Sequence, residues 1–320
     1  MNEKYLPLLA TIAVFAALFV VGGFLYNNFL STQVLGDILA DNAFIITAAI
    51  GTTFVILSGG IDLSIGSMIG FVGVVIANLD VLGWHPLVSG GMMLVFGLLF
   101  GALQGLIIDF CEIQPFIVTL AGLFLLRGSC FMINLDSVPV RHPFVASFAA
   151  MSVDLPGGGE LRSSAIVMLV SLVAAIVLAH FTRFGANVYA IGGDRASAAL
   201  MGVPMRRTTV GIYALGGFYS ALGGVIYAFY TSSGYPLAGS GNELTAIAAV
   251  VLGGTMLTGG VGMVAGTLFG GMIFGLIATL INFNGSLNGA WIMISGGVLL
   301  FLFIVLQRSI VGSLRLGGTT

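Results

Sequence analysis

The sequence predicts an all-α polytopic membrane protein of about ten transmembrane helices, some short or interrupted by glycine, with both termini cytoplasmic. Three observations predict it: composition, a series of apolar runs, and the placement of the basic residues. Of 320 residues, 58% are hydrophobic and 7% charged, with mean hydropathy +1.13, whereas an ordinary soluble domain is about 25% charged. So much apolar surface requires lipid around it. A formal net charge of −2 gives no electrostatic footprint for nucleic acid.

Tyr5 to Leu25 is one apolar run. It exceeds the roughly 7–15 residues of a signal-peptide core and has no small-residue cleavage site, so it reads as an uncleaved first helix. Nine further runs lie near 42–57, 63–79, 87–108, 115–134, 163–181, 208–230, 243–258, 262–281 and 291–307. Several are shorter than the ~20 residues that cross a bilayer, as in transporters whose helices break around a pathway. Residues 1–320 read as a single transmembrane domain with two long connections, external 135–162, turning at Pro156-Gly-Gly-Gly159, and internal 182–207.

With the N-terminus inside, Lys4, Arg183, Arg195, Arg206, Arg207, Arg308 and Arg315 fall on the cytoplasmic side, Arg141 and Arg162 outside, and Arg127 within a span. This is a positive-inside bias, and ten spans return the C-terminus to the cytoplasm. Lys4 is the single lysine, and only three residues precede it. A Walker A loop needs a Gly-rich turn before its lysine, so the chain does not hydrolyse ATP through a P-loop. If it pumps, the motor is another polypeptide.

Cys111 and Cys130 have no metal-ligand spacing, and His85, His142 and His180 are scattered. Gly239-Ser-Gly-Asn-Glu243 completes only part of a nucleophile elbow. The expectation is a transport subunit, not an enzyme, with no metal site and no cofactor of its own. The 48 glycines are about twice the usual share. Gly97, Gly101 and Gly105 form a ladder with four-residue spacing, and Gly262, Gly266 and Gly270 form another beside Gly271 and Gly275. Such stripes let helix backbones approach closely in lipid. A faint repeat pairs Ser58-Gly-Gly-Ile-Asp with Leu252-Gly-Gly-Thr-Met.

Within 182–207, Asp194 suits an N-cap, Ala196 to Met201 favour helix, Gly202 suits the left-handed position after it, and Pro204 stops it. Ala196, Ala199, Leu200 and Val203 then make one side of a short cytoplasmic helix small and apolar, a face for a partner's groove or for the membrane domain itself. This loop, together with Val55-Ile-Leu-Ser-Gly-Gly-Ile-Asp-Leu-Ser-Ile-Gly-Ser67, Pro115-Phe-Ile-Val-Thr-Leu-Ala-Gly122, Phe124-Leu-Leu-Arg-Gly128 and Gly253-Gly-Thr-Met-Leu-Thr-Gly-Gly-Val-Gly262, resembles the monosaccharide-type ABC importer permeases, the ribose and galactofuranose class. Asp41-Asn-Ala-Phe, Tyr189-Ala-Ile-Gly-Gly, Leu200-Met-Gly, Gly234-Tyr-Pro-Leu-Ala-Gly and Ile281-Asn-Phe look most like one of the two galactofuranose permease subunits, with differences at Pro236 and Asp194. The resemblance implies residence in the bacterial inner membrane. It also implies a cytoplasmic ABC ATPase that uses ATP and Mg, a second permease (a paralogue rather than a copy) and a periplasmic sugar-binding protein. It places ATPase coupling on Arg183, Gly185, Ala190, Gly192, Gly193, Asp194, Arg195, Ala199, Leu200 and Gly202.

Polar residues in spans are costly and mark function by default. The candidates for a substrate path are Asn42, Asp62, Ser64, Thr119 and Arg127. Each has a plainer reading. Asn42 and Asp62 suit helix capping, Thr119 suits a bond to its own preceding turn, and Arg127 suits snorkelling or holding a carbonyl. Asp136, Arg141, Tyr235 and Glu243 are candidates for contact with a binding protein, or residues of solvated loops. The alternative function is an ion-coupled transporter or channel for a small polar solute, which would place acids near the bilayer centre; here they cluster at span ends.

Overall fold

A computed structural model describes residues 6–285, 290–292, 294–299, 301, 302 and 305. Expectations that rest on Lys4, Arg308 and Arg315, and on part of the 291–307 run, lie outside them. Helix α1 (Leu6–Leu25) is followed by α2 (Thr32–Asp41) and α3 (Ala43–Leu57), then α4 (Ile65–Val81), α5 (Pro86–Phe110) and α6 (Pro115–Ile133). The 135–162 connection carries β1 (Val138–Pro139), α7 (Pro143–Ala150) and the hairpin β2 (Ser152–Leu155)–β3 (Gly159–Arg162), which turns at Pro156–Gly158. Then come α8 (Ser163–Phe181), α9 (Arg183–Gly193), α10 (Arg195–Leu200), α11 (Met205–Thr231), β4 (Ser233–Gly234, paired with β1), α12 (Asn242–Leu252) and α13 (Val264–Asn284). A further apolar helix covers Ala290–Leu299.

Among the described residues, six helices are long and apolar enough to cross a membrane: α1, α5, α6, α8, α11 and α13. They number seven if α2 and α3, which meet at a 62° bend, form one span. The runs expected at 63–79 and 243–258 become the shorter helices α4, of 17 residues, and α12, of 11. The chain leaves helix at 58–64 and again at 253–263. Both breaks begin alike. Gly59 (φ 80°) and Gly254 (φ 92°) take the left-handed conformation after α3 and α12. The Gly60 N–H donates to the Val55 carbonyl at 3.0 Å, and the Thr255 N–H to that of Val250 at 3.2 Å. These are two Schellman endings. The structural match sets Gly59 against Gly254, one residue later than the faint sequence repeat pairs them, so the register of that repeat does not carry into the structure. The two breaks touch, with the Gly260 N–H donating to the Leu57 carbonyl at 2.8 Å.

Helix α11 is packed between α5, α3 and α4. The Gly97–Gly101–Gly105 ladder of α5 lies directly on its backbone. A Cβ at Gly97 would stand 2.5 Å from the Gly217 carbonyl oxygen, one at Gly105 2.8 Å from Val210 Cα, and one at Gly101 would overlap the Tyr213 carbonyl. The second expected ladder starts late, because Gly262 lies in the 253–263 break; Gly266 and Gly270 pack α13 on Gly253 and Ala249 of the α12 region. Polar ties lock further helix pairs: Thr53 and Thr267 hydroxyls at 2.7 Å join α3 to α13, and Tyr219 Oη donates to the Ser171 carbonyl at 2.9 Å, joining α11 to α8. Each such bond removes a polar group from an apolar surround, where leaving it unmade is costly.

Candidate functional site

At one end of the bundle the 182–207 connection builds a platform. Thr182 Oγ1 accepts the Gly185 N–H at 3.3 Å and so caps α9. Gly185 then packs on the Ala179 carbonyl of α8. Gly192 packs on Leu57 and Gly260: a Cβ there would overlap the Leu57 carbonyl oxygen and stand 2.5 Å from Gly260 N. Tyr189 Oη donates to the Gly262 carbonyl at 2.9 Å, and burial pushes its phenol up to about 12. Helix α9 is thus keyed to both helix breaks at once.

Helix α10 follows. Asp194 Oδ1 accepts the Ser197 N–H at 2.6 Å, and hydrogen bonds from the Ser197 side chain and backbone hold the carboxyl below its ordinary value. At the far end Gly202 takes φ 81° and the Val203 N–H returns to the Ala198 carbonyl at 3.1 Å. Only Ala198 faces inward. Ala196, Ala199, Leu200 and Met201 are exposed, Leu200 at 90%, while Val203, expected on the same face, lies past the helix and is half-buried. Arg183 and Gly193 are exposed on α9, and Ala190 is half-buried.

Deeper in the bundle, the 58–64 break gathers buried polar groups. Asp62 Oδ1 accepts both the N–H and the hydroxyl of Ser64, each at 2.7 Å, a turn just ahead of α4 that leaves the first N–H groups of that helix without a side-chain cap. Ser64 Oγ lies 3.4 Å from Gln104 Oε1 on α5. Thr119 Oγ1 bonds its own helix at the Pro115 carbonyl, 2.9 Å, and reaches the Ile61 carbonyl at 3.4 Å. Gln104 Nε2 and Tyr213 Oη are buried without a hydrogen-bond partner among the described residues, and Tyr213 Oη abuts Gly60.

The 232–242 segment does not simply cover the opposite end. It runs back along α4: Gly234 lies against Gly73, Ala238 against Gly70, and Gly239 with Glu243 against Gly66. Seven residues of α4 correspond to about 10 Å of descent. Arg127 Nη1 holds this segment by donating to the Pro236 and Ala238 carbonyls, the latter at 2.9 Å.

Residues 34–304 match the family described as branched-chain amino acid transport system / permease component. The chain belongs to this permease family. It is 49% identical, over 97% of its length and 94% of the relative's, to the inner membrane ABC transporter permease protein YjfF of Escherichia coli K12. It is 33% identical, over 97% and 93%, to the fructose import permease protein FruG of Bifidobacterium longum. It is 35% identical, over 88% and 87%, to the ribose import permease protein RbsC of Escherichia coli K12. No solved structure matches. The chain is a multi-pass inner-membrane permease of the sugar ABC transporter kind.

Of the permease's five expected path residues, the structure brings Asp62, Ser64 and Thr119 together. Arg127 lies on the same helix as Thr119, eight residues or about 12 Å further along. Asn42 stands apart at the α2–α3 bend, donating through Nδ2 to the Ile38 carbonyl at 2.8 Å. Asp136, Arg141 and Tyr235 are exposed, and the Arg141 N–H donates to Asp80 Oδ2 at 2.7 Å. Glu243 lies inward of them: its Oε1 accepts the Gly241 N–H at 3.3 Å and its Oε2 is buried against Gly66. His85 and His142, scattered in sequence, meet with ring centroids 4.6 Å apart. Each caps its own helix through Nδ1, at 3.2 and 3.1 Å.

The sequence alone did not point to Gln104, Tyr213 or Asp109. Gln104 carried a signal, an amide inside a glycine-spaced apolar run. Asp109 carried none, since its partners lie 86 and 97 residues away.

Proposed function

We propose that the chain is the membrane-spanning subunit of an ATP-driven monosaccharide importer, moved by a separate cytoplasmic ATPase that docks on α10. The observation that carries this reading is the platform itself. A capped helix offers Ala196, Ala199, Leu200 and Met201 to solvent, on a base keyed by Gly192 to both helix breaks. An apolar helix face of this kind fits a groove on a partner. The end bearing α9 and α10 is cytoplasmic in this reading, and both termini lie on that side.

The family and the sugar-permease relatives support a cytoplasmic ATPase and a periplasmic binding protein beside this chain; the rest of the assembly is our reading of the sequence resemblance. A second permease, a paralogue, completes the path. A periplasmic binding protein delivers the sugar to the exposed Asp136, Arg141 and Tyr235. ATP and Mg are bound by the ATPase alone. The cargo is a monosaccharide of the galactofuranose class, which the sequence resemblance favours over the fructose and ribose named for the relatives. ATP binding displaces α10. Because Gly192 leaves no room for slip against Leu57 and Gly260, the 58–64 and 253–263 breaks shift with it, and the polar groups at Asp62, Ser64 and Gln104 become accessible from one side or the other. The two states must differ in their contact with the ATPase, or nucleotide could bias neither.

Affinity purification of the tagged chain from its native membrane, followed by mass spectrometry, tests the assembly. The reading expects an ABC ATPase and a second, non-identical permease. Recovery of the chain without any ATPase would overturn it.

A further inference from the structure

We infer that Asp109 is a positioning residue that joins the docking helix to the α5–α11 pair, so that motion imposed on α10 is delivered to the centre of the bundle. The inference rests on the docking role proposed above. Asp109 sits in the last turn of α5, its side chain only 10% exposed. Its two oxygens take different partners: Arg195 Nη2 at 3.3 Å on Oδ1 and Arg206 Nε at 3.2 Å on Oδ2. Arg195 is the first residue of α10 and Arg206 the second of α11, so one carboxylate grips the docking helix and the helix that follows it. The Arg206 guanidinium also lies 5.6 Å from the Phe110 ring centroid, a cation–π contact that steadies it.

All three charges stand at helix ends of the wrong sign. A carboxylate near a helix C-terminus and cations in first turns oppose the helix dipoles. None of them therefore serves its own helix, and their mutual pairing, with the Phe110 contact of Arg206, offsets that cost. Beyond the joint, α5 and α11 lie backbone to backbone, with Gly97, Gly101 and Gly105 in direct contact with the Gly217, Tyr213 and Val210 backbone, so a push on one helix across that contact is met by the other. That contact includes Tyr213, whose hydroxyl abuts Gly60 in the 58–64 break. The route from docking helix to polar cluster is thus Asp109, the glycine ladder and Tyr213. It is distinct from the route through Gly192.

Two experiments on Asp109→Asn test this. In the purified chain without ATPase, amide hydrogen exchange of α10 should rise by about two- to fivefold, the scale of losing an ion pair whose arginines are exposed, while α5 and α11 keep their protection. In the reconstituted importer, ATPase association and ATP hydrolysis should persist while sugar moved per ATP falls. Unchanged α10 exchange, or an unchanged sugar-to-ATP ratio, would overturn the inference. Should Asp109→Asn fail to accumulate, Arg206→Gln, which removes the α11 half of the joint, gives the same two readouts, with the same changes expected and the same absence of change overturning the joint. A wild-type chain that binds no ATPase would overturn the docking role instead, and the exchange measurement would still decide whether the joint exists.

Discussion

Replacing Leu200 by Ala should weaken the permease's hold on its ATPase without weakening the permease. Leu200 is 90% exposed, so its truncation leaves folding stability within about 0.5 kcal/mol. Buried in a partner groove, the three carbons removed contribute about 0.8 kcal/mol each, about 2.4 kcal/mol in all. That corresponds to about a 50-fold loss of affinity. The assay is binding of the purified ATPase to the permease in lipid nanodiscs, beside a thermal melt of each permease variant. Val170→Ala, which trims an exposed position on the membrane helix α8, is the control and should leave affinity unchanged. An affinity for Leu200→Ala within twofold of the wild type would refute the reasoning, because the exposed apolar face would then have no occupant.

Three other outcomes follow from the geometry. Gly192→Val drives a side chain into the Leu57 carbonyl and Gly260 and should cost about 1–3 kcal/mol by overpacking, read as a lower unfolding temperature; a neutral Val would mean that α9 is not seated on the breaks. Arg127→Met releases the Pro236 and Ala238 carbonyls, so amide exchange across residues 233–241 should rise; uptake lost with exchange unchanged would show that the guanidinium serves the substrate rather than the segment. Asp194, held below its ordinary value by Ser197, stabilises its cap above the unfolded carboxyl range and loses it only as pH falls through the lowered folded value. A carboxyl carbon shift titrating at or above 3.8, the ordinary value, would contradict the cap.

Much of the membrane scaffold was legible in the sequence, and the reasons are local. The run at 163–181 matches α8 to the residue, and 115–134 matches α6 within one, because long apolar stretches bounded by polar residues leave little choice in lipid. Helix α10 was legible because Asp194 and Gly202 carry the start and stop signals in their own chemistry. Helix α9 was not. Its eleven residues include Gly185, Gly192 and Gly193 with Asn187 and Val188 between them, a poor helix former by propensity; packing on Ala179, Leu57 and Gly260 makes it a helix. Helix α2 was missed for a similar reason, as Gly36 and Asp37 break the apolar pattern while Gly36 seats the helix against Glu160 of the hairpin. The 232–242 segment looked like a surface loop because its residues are polar and turn-forming. Its descent along α4 depends on glycines in both partners, at 66, 70, 73, 234 and 239, a pairing that no single stretch of sequence displays.

The most direct test of the account is monosaccharide uptake into proteoliposomes that hold the permease with and without its ATPase. The account predicts uptake only with the ATPase, the second permease, the binding protein outside and ATP inside, and none with an ion gradient alone. Accumulation by this chain alone, driven by a proton or sodium gradient, would contradict it.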